Sequence, residues 1–404
     1  MANVDVAPAQ SSSFTSATDN TTPLLVSLAS TPHEQLEPML DLLGSALMGI
    51  PTLVVTPDVE APDSRRSGLT LLPLGESQQA RSSWVLSAPD FQAAHTQAVA
   101  HHASGVVLLG PESFTLEPSV VRSLVTAVHT GNADLAMPNY VLGPREALVN
   151  AAILYPLSRA LYGSTARFPL ALDLGFSIRL SERLAAAAQR PSATNEGPAL
   201  LWPPAEAAVA GYRAIAVPGG SRTLPTPDVA DLNSLLAQVA SSLFADIESK
   251  AATWQRARPA QSSAALPVSH AAAEPEESDV QAMLDSFRVA YSNLSEIWSL
   301  VLPPQSLLGL KKLSILPTTT FRMPPALWAR VVYDFVLAFR LRTLNRGHLL
   351  GALTPIYLAW VASYLLAVDR GESAENHVEQ TAAALESEKP YFVSRWRWPD
   401  RFNP

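Results

Sequence analysis

Short apolar runs alternate with amphipathic stretches through the first half of the chain. Apolar runs of strand length occupy residues 23–28, 52–56, 69–74, 106–109, 133–137 and 213–217. Apolar residues at helical spacing follow most of them, at residues 35–48, 91–103, 118–129, 145–161 and 204–210. Strands that alternate with helices form parallel sheets covered by helices on both faces. We therefore expect an α/β fold with a mostly parallel, Rossmann-like sheet.

The pattern changes at residues 255–279. This stretch is rich in Ala, Ser, Pro and Glu, a composition typical of a linker or a long surface loop. Apolar stripes of helical period follow at residues 280–302, 325–342 and 349–368. The predicted division is a disordered tail (1–22), an α/β domain (23–254), a linker or surface loop (255–279) and a helical C-terminal region (280–404).

Residues 349–368 form an uncharged apolar stretch of 20 residues, about the length that crosses a bilayer. Pro355 interrupts the stretch, and Thr354, Tyr357 and Ser363 make it less apolar. The sequence contains no second comparable stretch. We expect a buried helix of a globular domain and no membrane association, with a membrane anchor as the alternative.

Charge and composition exclude several classes of site. The formal net charge is −8, so binding to nucleic acid through phosphate neutralisation is not expected. The absence of cysteine excludes disulfides, thiolate zinc sites and cysteine nucleophiles. The sequence also lacks a G-x-x-x-x-G-K-[ST] phosphate loop, a G-x-G-x-x-G turn and an H-E-x-x-H zinc motif. No metal-ligating residues are therefore predicted.

Asp173 is a single carboxylate in an apolar run, between Leu172 and Leu174 and before a Gly-Phe-Ser turn. Such an acid either serves chemistry in a cleft, or caps a helix or accepts hydrogen bonds from turn amides. The helix predicted near Ser181 begins several residues too late for Asp173 to cap it. We therefore expect Asp173 to face an open cleft at the carboxyl edge of the sheet, where ligands of α/β sheets bind.

Residues 155–163, Tyr-Pro-Leu-Ser-Arg-Ala-Leu-Tyr-Gly, precede Asp173 and the Gly-Phe-Ser turn. This arrangement resembles one region of the GT-A glycosyltransferases that make mannosylglycerate or glucosyl-3-phosphoglycerate. Residues 133–141, 207–217, 326–339 and 353–365 are similar to further parts of these enzymes. The resemblance covers most of residues 23–368 and is strongest from residue 133 onward.

The resemblance implies a GT-A fold, in which an α/β nucleotide-sugar domain carries a helical C-terminal extension. It also implies transfer of a hexose, with retention, from a nucleotide-sugar donor to a small hydroxy acid such as glycerate. Asp173 would then be the catalytic residue, since a carboxylate at the reacting centre can activate an acceptor hydroxyl or stabilise positive charge on the sugar. A cytoplasmic location is expected, and a homodimer is compatible with the sequence.

The remaining site residues follow from the same resemblance. The resemblance gives Arg159 and Arg167 the role of binding an anionic acceptor. The alternative is a structural role, in which the aliphatic part of the arginine packs on the core and its charge reaches solvent. The predicted donor contacts are Ser27, Asp58, Glu112 and Arg222, and the predicted acceptor contacts are Arg159, Arg167, Gly175, Phe176 and Ser177.

Two parts of the metal site of these enzymes are absent from the sequence. Their Asp-x-Asp pair, which holds Mg²⁺ or Mn²⁺ against the donor diphosphate, corresponds here to a segment with one acid, Glu112. A metal-binding histidine corresponds to a segment with Arg222 and Thr223. Either Arg222 neutralises the diphosphate in place of the cation, or the donor site has degenerated and the fold serves binding or scaffolding. Activity and metal dependence are therefore open at this point.

Overall fold

The computed structural model describes residues 22–29, 31–57, 65–66, 68–74, 84–190, 199–225, 232–257 and 280–399. Most of the predicted tail, most of the predicted linker and Asp58 lie outside these residues. Within them, one sheet of eight strands has the order β3-β4-β2-β1-β5-β7-β6-β8. The strands are β1 (Leu24–Ser27), β2 (Thr52–Thr56), β3 (Arg65–Arg66), β4 (Leu69–Pro73), β5 (Gly105–Leu109), β6 (Leu135–Val141), β7 (Asp173–Ser177) and β8 (Ala214–Ser221).

The sheet is mostly parallel, as the alternation of strands and helices predicts. Strand β1 pairs in parallel with β2 and β5, β2 pairs in parallel with β4, and β6 pairs in parallel with β8. Strand β7 lies between β5 and β6 and is antiparallel to both. Strand β3 is antiparallel to β4 at the edge of the sheet. The predicted α/β fold class is confirmed.

Thirteen helices are found in the described residues, and eight of them belong to the α/β part. These are α1 (His33–Ala46), α2 (Ala88–Ala100), α3 (Pro118–His129), α4 (Tyr155–Tyr162), α5 (Ile178–Ala188), α6 (Pro203–Ala210), α7 (Leu232–Ser249) and α8 (Ala251–Trp254). A π-helical turn, Asn150–Leu154, leads directly into α4.

Helices cover both faces of the sheet because alternate strand residues point to opposite faces. Val26 and Val107 belong to the core on one face, and Leu25 and Val106 belong to the core on the other. The strand β5 is therefore buried along its whole length. This burial explains why its sequence is a continuous apolar run instead of an alternating one.

The C-terminal region is helical, as predicted. It consists of α9 (Val280–Ser299), α10 (Pro304–Ser314), α11 (Pro325–Leu341), α12 (Arg346–Asp369) and α13 (Ala374–Arg397). The predicted domain division at residues 255–279 stays a prediction.

Helix α12 contains the apolar stretch found in the sequence. Among the described residues it is the one helix with the length and composition to cross a membrane, and 78% of its most apolar window is buried inside the protein. It packs against α7, α9, α11 and α13. The expected buried helix is present, and it continues through Pro355 without interruption.

Helix α13 makes a large part of the contact between the helical region and the α/β part, in addition to the packing of α7 against α11 and α12. This helix packs along α4 and α11. The ring of Phe392 stacks on that of Trp254 with centroids 4.8 Å apart, and Trp396 meets Trp254 edge-on at 5.1 Å. Phe392 and Trp396, near the end of α13, therefore pack on the α/β part through Trp254.

Candidate functional site

Asp173 lies at the carboxyl edge of the parallel strands because β7 runs antiparallel to them. As the first residue of β7 it pairs with Leu109, the last residue of β5. The Gly-Phe-Ser turn expected after Asp173 is wrong, because these residues belong to strand β7. The location at this edge of the sheet agrees with the expectation from the sequence.

The environment of the Asp173 carboxylate differs from the expectation of an open cleft. Its Oδ1 atom accepts hydrogen bonds from the Gly110 amide at 3.0 Å and from the Ser113 hydroxyl at 2.6 Å. Its Oδ2 atom accepts from the Tyr140 hydroxyl at 2.7 Å. The Asp173 side chain is 0% exposed. The expectation that Asp173 faces a cleft is therefore wrong for this structure, since neighbouring donors enclose the carboxylate.

Arg222 follows β8 and completes the enclosure of Asp173. Its Nε donates to Asp173 Oδ2 at 2.5 Å, and its Nη2 approaches Oδ1 at 3.2 Å. Its other N–H groups donate to the carbonyls of Thr223 at 2.6 Å and Pro111 at 2.7 Å. The Arg222 side chain is also 0% exposed. A guanidinium carries five N–H donors, and protein atoms already use most of them here.

Burial and charge act in opposite directions on Arg222. Burial lowers the pKa of Arg222, whereas the charges and hydrogen bonds of Asp173 and Tyr140 raise it, and the net effect is a raised pKa. Burial and the nearby Asp173 charge both raise the pKa of Tyr140 well above its usual value. The Tyr140 phenol therefore stays protonated and donates, and Asp173 and Arg222 form an internal ion pair.

Three of the predicted donor contacts, Ser27, Glu112 and Arg222, lie near the same edge, and the one cation among them, Arg222, already pairs with Asp173. Ser27 ends β1, is buried, and its hydroxyl has no hydrogen-bond partner among the described residues. Glu112 adopts a left-handed backbone conformation with φ 61°, and its Oε1 accepts from Gln35 Nε2 at 2.9 Å. The Glu112 amide donates back to Gln35 Oε1 at 3.3 Å. Asp58 lies outside the described residues.

The residues near the ion pair do not fit a divalent cation. Of the predicted site residues that the structure describes there, Glu112 is held by Gln35 and Asp173 by Arg222. A cation next to Asp173 would also meet the positive charge of Arg222. Across the described part of the chain, no group of three or more His, Asp or Glu side chains is arranged to hold a metal ion.

The predicted acceptor arginines are bound by carboxylates of α13. Arg159 donates to Glu386 through Nε at 3.0 Å and through Nη2 at 3.0 Å, and it also pairs with Glu379. Arg167 donates to Glu379 at 2.7 Å and pairs with Glu375. Both guanidinium groups are therefore neutralised within the protein.

Tyr155 belongs to the same cluster. Its hydroxyl donates to Glu379 Oε1 at 2.9 Å, and the Arg167 guanidinium lies 4.2 Å from the centre of its ring. Burial is the main cause of the raised pKa of Tyr155. The three glutamates, Glu375, Glu379 and Glu386, were not predicted as site residues, although their spacing places them on one helix face.

Gly175, Phe176 and Ser177 extend away from Asp173 along β7. Phe176 is fully buried against Phe91, with ring centroids 6.1 Å apart. Ser177 pairs with Gly105 at the amino edge of β5, and its hydroxyl caps α5 by accepting from the Leu180 amide at 3.4 Å. Phe176 and Ser177 thus make structural contacts, and the predicted acceptor role of the three residues stays a prediction.

No family model matches this chain, and no curated protein matches it. It is similar to glucosyl-3-phosphoglycerate synthase from Mycobacterium tuberculosis. In complex with phosphoglyceric acid, that structure is 17% identical over 56% of this chain and 79% of its own, with a TM-score of 0.36. In complex with Mg²⁺ and uridine-diphosphate it is 16% identical over 56% and 78%, with a TM-score of 0.37. The likeness concerns the fold, and the strand order establishes the α/β class independently.

Proposed function

We propose that this protein is a glycosyltransferase-like protein that does not transfer sugar and acts through binding. The observation that carries the proposal is the ion pair of Asp173 and Arg222, in which both side chains are 0% exposed. The residues expected to activate an acceptor and to neutralise a diphosphate satisfy each other instead. The fold would then be kept for a binding or scaffolding role, since a fold alone does not specify an activity.

A diphosphate would have to displace Asp173 from Arg222. Removing one partner of a buried ion pair typically costs about 3–5 kcal/mol, because the other charge stays buried and uncompensated. The remaining Arg222 donors already bind the carbonyls of Thr223 and Pro111. This arrangement argues against direct neutralisation of a donor by Arg222.

The surroundings of Asp173 also argue against a general base. A carboxylate offers about four lone-pair positions. Here Gly110, Ser113, Tyr140 and Arg222 all donate to it. An acceptor hydroxyl would need one of these positions, and a group that acts as base must be within hydrogen-bond reach of the proton it removes.

An active hexosyltransferase is the second candidate. The location of Asp173 at the carboxyl edge of the sheet supports it, because ligands of α/β sheets bind there. Under this alternative, Arg222 moves away and Asp173 handles a nucleotide-sugar and a small hydroxy acid such as glycerate, with the hexose transferred with retention. The donor, the acceptor and a Mg²⁺ or Mn²⁺ requirement would then have to be established by assay.

The two candidates are separated by ligand binding and by turnover. The melting temperature of the purified protein would be measured with UDP, GDP and ADP, each with and without Mg²⁺ or Mn²⁺. A ligand at 100 times its Kd stabilises the folded state by about 2.7 kcal/mol, so binding would be visible. We expect no rise with any of these nucleotides. A rise would contradict the closed donor site.

Turnover is measured as nucleotide release from UDP-glucose, GDP-mannose and ADP-glucose, each with glycerate or 3-phosphoglycerate. We expect release at the rate of the protein-free control. If release is faster, the Asp173→Asn variant distinguishes the roles: lost release in a folded variant would establish Asp173 as catalytic. Retained release would assign the activity to other residues.

A further inference from the structure

A cavity of about 420 Å³ lies between the carboxyl edge of the sheet and the helical region. Leu172 and Leu224, close in sequence to Asp173 and Arg222, line it from the α/β part. Leu235 of α7 and Tyr357 of α12 line it from the helices. The volume falls within the range that small-molecule sites occupy, about 300–1,000 Å³.

The wall of this cavity is almost entirely apolar. All lining residues except Arg145, Glu146 and Asn150 carry apolar or aromatic side chains. Trp84 and Leu170 are among the lining residues that are only partly buried against the core. Partly buried apolar side chains gain about 25 cal/mol per Å² when an apolar group covers them. The body of a matching ligand is therefore apolar.

Two polar side chains at one wall have unused hydrogen-bonding atoms. Arg145 donates through Nη2 to Asp369 at 3.1 Å, but its Nε and Nη1 have no partner among the described residues. Asn150 donates through Nδ2 to the Arg167 carbonyl at 2.9 Å, and its Oδ1 likewise has none within that part of the chain. A buried donor or acceptor without a partner destabilises the folded protein, because it has lost its hydrogen bonds to water.

Arg145 and Asn150 therefore require complementary groups. The free N–H groups of Arg145 need an acceptor, and the free Oδ1 of Asn150 needs a donor. Protein atoms cover these particular atoms, and both residues belong to the lining of the cavity. Binding a ligand through these atoms requires a change of side-chain torsion angle toward the cavity. The one acidic lining residue, Glu146, is exposed, and its carboxylate accepts from the Gly143 amide.

We infer that this cavity binds a hydroxy acid with an aliphatic chain of medium length. The carboxylate would accept from Arg145, the hydroxyl would donate to Asn150, and the chain would lie against Trp84, Leu170 and Leu235. This inference goes beyond the proposed function, and its test measures binding instead of sugar transfer. A phosphorylated hydroxy acid fits less well, since Arg145 is the one cationic residue of the wall and Asp369 already pairs with it.

Three probes test the parts of the ligand separately. Binding of 3-hydroxydecanoate, 3-hydroxybutyrate and decanol to the full chain would be measured by calorimetry. 3-Hydroxydecanoate carries the hydroxy-acid group and a long aliphatic chain. 3-Hydroxybutyrate carries the hydroxy-acid group without the long chain, and decanol carries a long chain without the carboxylate. We expect 3-hydroxydecanoate to bind at least about tenfold more tightly than either of the others, which corresponds to about 1.4 kcal/mol. No binding of 3-hydroxydecanoate, or equal binding of decanol, overturns the inference.

Variants locate the site. Arg145→Met is expected to weaken binding of 3-hydroxydecanoate about tenfold and to leave binding of decanol unchanged, because the variant lacks the guanidinium that binds the carboxylate. Leu235→Trp fills the cavity and is expected to weaken both. Asp369→Asn breaks the same ion pair as Arg145→Met but keeps the guanidinium, so binding is expected to persist. Unchanged affinity in both Arg145→Met and Leu235→Trp would place the ligand elsewhere and overturn the inference.

Discussion

Arg222 and Asp173 form an ion pair at 2.5 Å that bridges two strands which are not neighbours. Asp173 begins β7 and Arg222 follows β8, and β6 lies between these strands in the sheet. Tyr140 of β6 lies beneath the pair, with the Arg222 guanidinium 5.6 Å from the centre of its ring. The pair therefore connects β7, β6 and β8 at the carboxyl edge of the sheet, where ligands of α/β sheets usually bind.

Removing Arg222 is expected to destabilise the fold strongly. Arg222→Met leaves the Asp173 carboxylate buried without its counter-charge, and such a loss typically costs about 3–5 kcal/mol. The free energy of unfolding, measured in urea, checks this value. The double variant Asp173→Asn with Arg222→Met is expected to lose less than the sum of the two single variants, because their effects are coupled.

The matched control for Arg222→Met is Arg322→Met. Arg322 pairs with Glu372 at 3.2 Å, and both side chains are well exposed. Exposed pairs contribute about 0–1 kcal/mol. Equal losses in the two variants would show that the Asp173–Arg222 pair contributes no more than an ion pair in solvent, and would remove the energetic argument for a closed site.

Gly110→Ala is expected to disturb the hydrogen bond that the Gly110 amide donates to Asp173. A Cβ atom at Gly110 would lie 2.6 Å from the Leu172 carbonyl oxygen, so the backbone between β5 and β7 must shift there. Overpacking and strain of this kind cost about 1–3 kcal/mol. Urea denaturation measures the loss, and unchanged stability would mean that the backbone at this edge adapts freely.

Gly351→Ala provides the opposite expectation. A Cβ atom at Gly351 would meet nothing within 4 Å, and the residue lies in the interior of α12. Alanine in a helix is about 0.8–1.0 kcal/mol more favourable than glycine. Gly351→Ala should therefore raise the melting temperature, and a decrease would contradict the helix as described.

The free energy of unfolding is expected to fall as the pH is lowered, because His377 must take up a proton at a buried position. This side chain is buried against Trp360 and Tyr364, and burial is the main cause of its lowered pKa, with Arg322 lowering it further and Glu372 opposing. The unfolded chain therefore binds the proton more readily than the folded one. The stabilising contribution of neutral His377 is complete above about pH 6.5, which is the ordinary histidine pKa. It is lost as the pH falls through the lowered pKa of the folded protein.

Urea unfolding of the wild type and of His377→Phe, followed between pH 8 and pH 5, measures this contribution. The slope from a single group is at most about 1.4 kcal/mol per pH unit. Phenylalanine keeps the ring but does not titrate, so the variant should show the shallower pH dependence. Parallel profiles would assign the acid sensitivity to other groups.

Glu379 is expected to contribute more to stability than an exposed glutamate. It accepts from Tyr155 and Arg167 and pairs with Arg159. Glu379→Ala leaves two arginines without one of their acceptors, and we expect a loss of about 1–3 kcal/mol. Glu372→Ala, which removes an exposed partner of Arg322, serves as the control. Equal effects would show that solvent replaces Glu379 at little cost.

The sequence predicted the fold better than the site, and particular residues show why. Apolar runs identified β1, β2 and β5, and the amphipathic period of residues 118–129 gave α3 with its observed bounds. These signals are local. Strand β7 was missed because its five residues contain Asp173 and Gly175, which are unfavourable in strands. Its neighbours β5 and β6 determine its conformation instead.

The chemistry of the candidate site depends on contacts that are distant in sequence. Arg222 meets Asp173 across 49 positions, and Arg167 meets Glu379 across 212. No local pattern reveals which charges pair in the folded protein. A lone acid in an apolar run indicated that Asp173 needed special surroundings, but not whether those were a substrate or an arginine.

The glutamates of α13 have a consequence for synthesis on the ribosome. Arg159 emerges 220 residues before Glu379 and 227 before Glu386. Throughout that interval the nascent chain carries the guanidinium groups of Arg159 and Arg167, and the glutamates that pair with them have not yet been translated. Arg159 and Arg167 therefore reach their final charge balance only after α13 has been synthesised and has packed against α4.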